Sequence, residues 1–265
     1  MQEVKTVDRE SDTSVKSIRS EILQVEKPNI AVIIPALNEE EAIQLVLAEI
    51  PDVITSVTVV DNGSRDATAE RARTGGARVV YESRRGYGQA CLAGLSVNQH
   101  ADILVFLDAD LSDYPSEMEK LIEPILENRA EFVIGIRSGK QRPLHGRVGT
   151  EICIRLINLI WKTSYRDLGP FRVIRRESLE QLAMKDQTWG WTIEMQVKAA
   201  EVGFRVQQIP IHQRDRIGRS KISGTFVGSM RAGAWMLTTI IGLWLTRNRR
   251  LKAIRMMRTQ ENERV

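Results

Sequence analysis

Asp108 and Asp110 are the residues of this chain whose type and spacing point most directly to chemistry. They close the run Leu104-Val105-Phe106-Leu107-Asp108-Ala109-Asp110, in which four apolar residues meet two acids one residue apart. The apolar run reads as a strand buried on both faces, and side chains two apart on an extended segment point the same way. Two carboxylates would then converge where the strand ends, on the rim at which open α/β sheets bind ligands. Such a pair suits a hard divalent cation, and a cation held there suits a diphosphate. A capped surface turn is the competing reading of an isolated Asp-x-Asp, so the rest of the chain has to decide.

A second candidate is residues 214–221, Arg-Asp-Arg-Ile-Gly-Arg-Ser-Lys. Arg214, Arg216, Arg219 and Lys221 make it strongly basic, and Gly218 would let its backbone approach a ligand. The loop either grips a phosphate or is a solvated basic turn, and both readings stay open. His100, His145 and His212 are scattered with no metal-ligand spacing. Cys91 and Cys153 are too few for a disulfide scaffold or a zinc site, which fits a reducing cytoplasm.

The elements that must position these residues alternate along the chain. Ile30-Ala31-Val32-Ile33-Ile34 reads as a buried strand ended by Pro35, and Asn38 with Glu41 three residues on reads as a capping box opening a helix to about Ile50. Val57-Thr58-Val59-Val60 is a second strand, ending at Asp61-Asn62-Gly63-Ser64, and a polar helix follows over about 66–73. A third strand at 78–81 leads to Gly86-Tyr87-Gly88 and a helix through about Val97; the Asp108 strand is the fourth. A helix from about Pro115 and a strand at 132–135 continue the alternation, which implies a mainly parallel sheet with helices on both faces.

A dinucleotide-binding oxidoreductase would share that pattern but needs a G-x-G-x-x-G turn after the first strand. Here the turn is Pro35-Ala36-Leu37-Asn38-Glu39-Glu40, without glycine. Gly86-Tyr87-Gly88-Gln89-Ala90-Cys91 lacks the third glycine and follows a later strand, so it reads as a structural turn. Beyond Arg137 the pattern loosens: helical spacing over 147–161, a short strand at 171–174, helices from about Glu177 and over 191–202, and a strand at 204–211.

At 265 residues, with an apolar fraction of 42% and 8 prolines, the chain has the composition of a globular α/β protein with a sizeable core. Residues 1–27 are polar and charged, unlike a signal peptide, and read as a flexible arm with a short helix around 15–25. Residues 28–221 read as the catalytic domain, and 222–265 as an apolar helix with a basic tail. The net charge of +4 is concentrated at that end, in Arg247, Arg249, Arg250, Lys252, Arg255 and Arg258. The cleanest apolar stretch, 232–245, is about fourteen residues where a spanning helix needs about twenty. A helix lying on the membrane surface is the favoured reading, with Trp235 and Trp244 at headgroup level and the basic tail on anionic lipid. Packing against a partner helix in a homo-oligomer is the alternative, and no nucleic-acid partner is expected.

With these pieces in order, the chain resembles a family 2 glycosyltransferase of the GT-A fold, close to the dolichol-phosphate mannose synthase branch and its bacterial polyprenyl-phosphate relatives. The matching segments are Ile33-Ile34-Pro35-Ala36-Leu37-Asn38-Glu39-Glu40, Val59-Val60-Asp61-Asn62-Gly63-Ser64-Arg65-Asp66-Ala67-Thr68, Phe106-Leu107-Asp108-Ala109-Asp110-Leu111-Ser112, Gly169-Pro170-Phe171-Arg172 and Gly218-Arg219-Ser220-Lys221. Together they cover roughly residues 29–245, and their order makes them specific where each alone is weak.

The resemblance implies a role for each position. Pro35, Leu37 and Glu39 would line the nucleotide pocket with Asp61 reaching the base or ribose, and the Asp108-Ala109-Asp110 turn would meet the donor. Asp108 and Asp110, with Ser112 as a third candidate ligand, would hold Mg²⁺ or Mn²⁺ on the diphosphate. Arg137 and Arg147 match arginines that meet an acceptor phosphate, and Arg216, Ser220 and Lys221 would belong to a loop closing over donor and acceptor. The implied enzyme is an inverting hexosyltransferase using a UDP- or GDP-linked sugar and a polyprenyl or dolichyl phosphate, peripheral to the cytoplasmic face of a membrane.

Three departures bear on this. Several synthases have glutamine where Ser112 stands, Asn62 replaces the second acid of a common Asp-Asp pair, and Gly169-Pro170 replaces a serine-glycine. Transfer to a hydroxyl of a lipid or small molecule is the alternative, with Asp167 or Glu194 as base; a non-catalytic sugar-nucleotide-binding protein is another. A nucleotidyltransferase would call for a glycine-rich first turn, which this chain lacks.

Overall fold

A computed structural model of the chain describes residues 27–138, 144–218 and 226–262. Strands β1 (Ile30–Ala36), β2 (Ser56–Asp61), β3 (Arg78–Tyr81) and β4 (Ile103–Phe106) alternate with helices α1 (Ile43–Ala48), α2 (Thr68–Thr74) and α3 (Tyr87–Val97). A 3₁₀ turn (Pro115–Glu117) then leads into α4 (Met118–Leu126), β5 (Phe132–Ser138) and α5 (Leu144–Trp161). The chain continues through β6 (Arg172–Arg175), α6 (Arg176–Leu182), α7 (Trp191–Val202), β7 (Val206–His212) and α8 (Phe226–Asn262).

The strands form one seven-stranded sheet in the order β3-β2-β1-β4-β6-β5-β7. β1 to β4 are mutually parallel where they pair, and β5 is parallel to β7. The short strand β6 is the exception: it lies antiparallel between β4 and β5, with Phe106 opposite Arg172 and Ile134 also opposite Arg172. An antiparallel strand begins where its neighbours end. The residues leading into β6 are thereby delivered to the rim where β4 releases Asp108 and β5 releases Arg137.

Alternation along each strand explains the two cores. In β1, Ala31 and Ile33 face one side while Ile30, Val32 and Ile34 face the other; in β4, Leu104 and Phe106 oppose Ile103 and Val105. Helices α3, α5, α7 and α8 cover the first face and α1, α2 and α4 the second. Helices on both faces are what the unbroken apolar strands require.

The capping box expected at Asn38 does not form. Helix α1 starts at Ile43 with no side-chain cap, and Asn38 adopts a left-handed backbone, φ 51°. Its amide donates to Ser64 Oγ (2.9 Å) and its Oδ1 accepts from the Arg65 amide (2.8 Å). Asn38 tolerates that backbone better than most residues and ties the first turn to the second instead of starting a helix.

Helix α8 runs for 37 residues, carrying the apolar stretch and most of the basic tail in one element. Two tail arginines turn inward. Arg250 forms a bidentate pair with the buried Glu201 of α7, both contacts at 2.7 Å, and Glu201 also accepts from Trp161 Nε1 (2.8 Å). Arg247 lies over the Trp161 ring and donates to the Ile160 carbonyl (3.2 Å). Removing one partner of a buried pair leaves the other uncompensated. Glu201→Ala should therefore cost about 3 kcal/mol of unfolding free energy in urea, whereas Glu151→Ala, which loses only the exposed pair with Arg155, should cost less than about 1 kcal/mol.

Candidate active site

Asp108 leaves the end of β4 between the two cores and stands among charges of both signs. Burial, then Asp110 and Asp113, push its carboxyl up to about 8 against the opposing pull of Arg137 and Arg216. Asp110 is buried; its Oδ1 accepts from the Ser112 amide (3.0 Å) and its Oδ2 contacts Arg216 Nη1 (3.0 Å). Asp113 is also buried, with Oδ1 accepting from Gln213 Nε2 (3.2 Å) and Oδ2 without a hydrogen-bond partner. Burial raises its carboxyl to about 6.

The guanidiniums come from three elements. Arg137, at the end of β5, makes a fork to Asp167, Nε to Oδ2 and Nη2 to Oδ1, each 2.7 Å. Burial opposes the charge on Arg137, but Asp167, Asp113 and Asp108 outweigh it and raise its pKa. Arg172 of β6 is fully buried under the site; it donates to the Gly169 and Thr192 carbonyls and lies over the Phe132 ring. Desolvation lowers it to about 10.

Arg216 belongs to a strap, residues 213–217, laid across the Asp108–Asp110 turn. The Arg214 amide donates to the Ser112 carbonyl and the Ile217 amide to the Asp110 carbonyl, both at 3.0 Å. Arg214 anchors the strap by a fork to Glu49 (2.8 and 2.7 Å), a bond to the Leu111 carbonyl (2.7 Å) and stacking on Tyr114. Arg214 is thus neither a phosphate ligand nor a solvated residue but a fastener.

Two loops at the ends of β1 and β2 form a joined platform beside the acids. The Glu39 amide donates to Thr68 Oγ1 (2.8 Å), the Ala67 amide to Glu40 Oε2 (3.2 Å), and the Ser64 amide to Asp61 Oδ1 (2.8 Å). Asn62 donates to the Glu82 and Arg84 carbonyls and accepts from the Gly86 amide, which pins the loop after β3. Its amide serves three backbone groups, a role that an aspartate could not fill because it lacks the donors. Pro35 and Leu37 are half-buried on this platform, while Glu39 and Asp61 are buried.

Of the residues singled out from sequence, Pro35, Leu37, Glu39, Asp61, Asp108, Ala109, Asp110, Ser112, Arg137 and Arg216 fall on the rim formed by the ends of β1, β2, β4 and β5 and by the strap. Ser112 meets Asp110 through its amide. Arg147 is in the first turn of α5, where side chains are outside the described residues, as are Ser220 and Lys221. The two carboxylates considered as bases are engaged elsewhere. Asp167 grips Arg137, and Glu194 accepts from the Lys185 and Asp186 amides and pairs with Lys198 (2.8 Å). His212 pairs with Glu117 (2.7 Å).

Sequence reasoning missed Asp113 and Tyr87. Asp113 was visible as a third acid in Asp108-Ala109-Asp110-Leu111-Ser112-Asp113. The Tyr87 hydroxyl is buried beside Asp108 and Cys91, and its pKa is raised by that burial and then by those two groups. Gly88 lies in the first turn of α3 and not in a separate structural turn, and a Cβ there would lie 2.1 Å from the Asp186 carbonyl oxygen. That close approach lets the Gly88 and Gln89 amides donate to the Thr188 and Gln187 carbonyls.

Asp108 and Asp110 offer the oxygen ligands that Mg²⁺ and Mn²⁺ prefer, and a guanidinium stands in as the cation on Asp110. Among the described residues no group of three His, Cys, Asp or Glu side chains could hold a metal alone. Two carboxylates leaving the remaining positions to water and phosphate oxygens is the way Mg²⁺ is commonly bound.

A mainly parallel sheet with one reversed strand, and an Asp-x-Asp just beyond the end of β4, fit the GT-A fold that the sequence resemblance implies. The chain belongs to glycosyl transferase family 2, whose sequence profile residues 31–183 match. An uncharacterized glycosyltransferase of Mycobacterium tuberculosis is 38% identical over 207 residues, covering 77% of this chain and 94% of the relative. A dolichyl-phosphate hexose transferase of Haloferax volcanii is 32% identical over 213 residues, covering 77% and 91%. Among solved structures, glucosyl-3-phosphoglycerate synthase from M. tuberculosis, in complex with Mn²⁺, UDP-glucose and phosphoglyceric acid, matches with a TM-score of 0.68 at 25% identity, over 82% of this chain and 80% of that one.

The raised Asp108 carboxyl fixes the sign of a pH effect. With chelator present, burial and the neighbouring acids keep its proton on up to about pH 8, whereas the unfolded chain loses it near the ordinary value of 3.8. The folded state therefore binds more protons inside that window, and this residue's contribution to stability declines as pH rises through it. In chelator, wild type should lose stability relative to Asp108→Asn between about pH 5 and about pH 8. The slope should be no steeper than about 1.4 kcal/mol per pH unit, the limit for one proton, as read by urea unfolding at each pH.

Proposed function

We propose that this glycosyltransferase moves a hexose from a UDP- or GDP-linked donor to a polyprenyl or dolichyl phosphate, with inversion, at the cytoplasmic face of a membrane. The observation that carries the reading is the meeting of Asp108 and Asp110 with Arg137 and Arg216 on one rim. A divalent Mg²⁺ or Mn²⁺ held by the two carboxylates would neutralise charge on the departing nucleoside diphosphate. Pro35, Leu37, Glu39 and Asp61 bind the nucleotide, Ser112 orients Asp110, and Arg216 meets the diphosphate. Arg137, locked by Asp167, offers the acceptor phosphate a fixed positive charge; Arg147, Ser220 and Lys221 complete that side.

The engagement of Asp167 and Glu194 in ion pairs supports an acceptor that is already an anion. A hydroxyl acceptor needs a group to take its proton; a phosphate at neutral pH does not. The likeness to the dolichyl-phosphate hexose transferase points the same way. Glucosyl-3-phosphoglycerate synthase supplies the second reading, a soluble phosphorylated acceptor.

Helix α8 supports the membrane part. Trp235, Ile241, Trp244 and Leu245 are exposed on it, and Arg249 and Lys252 follow them on the outer side. With Arg247 and Arg250 turned inward, lipid contact through the tail falls to its outward basic residues. No described helix is long and apolar enough to cross a membrane.

Purified protein with Mn²⁺, a panel of UDP- and GDP-sugars and a short-chain polyprenyl phosphate should form glycolipid with one donor. Asp108→Asn should lower kcat by about 10²-fold or more while keeping a native circular dichroism spectrum. Transfer to phosphoglycerate in place of the lipid would replace the acceptor, and an active Asp108→Asn enzyme would refute the metal role.

A further inference from the structure

Arg216 pairs with one of the two carboxylates that would hold the metal. Of the two Asp110 oxygens, Oδ1 is engaged by the Ser112 amide at 3.0 Å, and Oδ2 faces Arg216 Nη1 at 3.0 Å. The same guanidinium reaches across to Glu39 Oε1 through Nη2 at 3.2 Å, bridging the first turn and the acid pair. The strap beneath it is fastened independently, by the Arg214 and Ile217 amides and by the Arg214–Glu49 fork. The Arg216 side chain is 30% exposed, so solvent reaches it at the edge of the site.

We propose that Arg216 shares its seat with the metal: it holds Asp110 Oδ2 and leaves that oxygen when Asp110 takes a divalent cation. A guanidinium and a divalent cation on one carboxylate oxygen repel each other, so Arg216 weakens capture of the bare metal. A nucleoside diphosphate arriving with the metal reverses the sign. It brings negative charge to the side of the pocket where Glu39 stands, giving Arg216 a new anionic partner as it gives up Asp110. The same residue thus opposes metal alone and favours metal together with donor, biasing the site toward the loaded complex. Glu39 contributes by keeping the guanidinium near the pocket during the exchange.

This inference rests on the metal-dependent donor reading above. It is tested by titrating Mn²⁺ into wild type, Arg216→Gln and Arg216→Lys with free Mn²⁺ read by electron paramagnetic resonance, and by titrating UDP at saturating Mn²⁺. Arg216→Gln should bind Mn²⁺ alone about fivefold more tightly, the upper end for a partly exposed pair. With Mn²⁺ present it should bind UDP about tenfold more weakly, as expected for a lost charge-assisted contact. Arg216→Lys, too short to bridge Asp110 and Glu39 together, should fall between, and it substitutes if the glutamine variant fails to fold. A purely structural role would move both affinities in one direction or neither. Unchanged or weaker Mn²⁺ binding in both variants overturns the shared seat while leaving the transferase reading intact. Absence of Mn²⁺ binding in wild type and variants, with and without UDP, overturns the metal reading itself.

Discussion

Asp108 emerges where a strand buried on both faces runs out of hydrogen-bonding neighbours, so its carboxylate meets little water and several other acids. Carboxylates gather there faster than guanidiniums do: Asp108, Asp110 and Asp113 lie within the fields of Arg137 and Arg216, and Asp167 claims one face of Arg137. A fold can tolerate such a deficit of positive charge only by keeping a proton, borrowing a side-chain cation or binding one from solution. This rim shows the first two, in the raised Asp108 carboxyl and in the Arg216 bridge between Asp110 and Glu39. Most other features of the rim follow as supports, including the strap across the acid turn and the platform that holds the first two loops together.

The reversed strand β6 is what lets the support on the acceptor side exist. Had β5 paired directly with β4 in parallel, the segment before β6 would have had no reason to reach the rim. With β6 inserted backwards, residues 167–171 arrive beside the end of β4. Asp167 can then lock Arg137, and Arg172 can fill the space beneath with a buried cation satisfied by backbone carbonyls.

Much of this was legible in the chain because its strongest signals are local. The apolar runs of β1, β2 and β4 could be placed from composition and punctuation alone, and Asp108 and Asp110 announce themselves by spacing. The direction of β6 was not legible, since four residues carry no mark of which neighbours they will pair with. Asn38 misled for a related reason: an N-cap pattern competes with any partner that tertiary structure supplies, and here Ser64 and Arg65 supply one. The tail arginines show the same limit. A run of basic residues looks uniform in sequence, yet one residue's step of about 100° around the helix decides that Arg250 meets a buried glutamate while Arg249 faces water.

The contact of Gly190 with α8 has a consequence for how such enzymes diverge. A Cβ at Gly190 would stand 2.5 Å from Thr239 Oγ1 and 2.1 Å from Asp186 Oδ2, and the same loop presses its carbonyl against Gly88 at the start of α3. The C-terminal helix is therefore fitted to the loop and, through it, to the helix that carries Tyr87 under the acids. It is not a module that recombination can exchange for the tail of a relative. A chimaera that keeps this catalytic body and imports a foreign terminal helix would need the small residues on both sides of the joint to travel together.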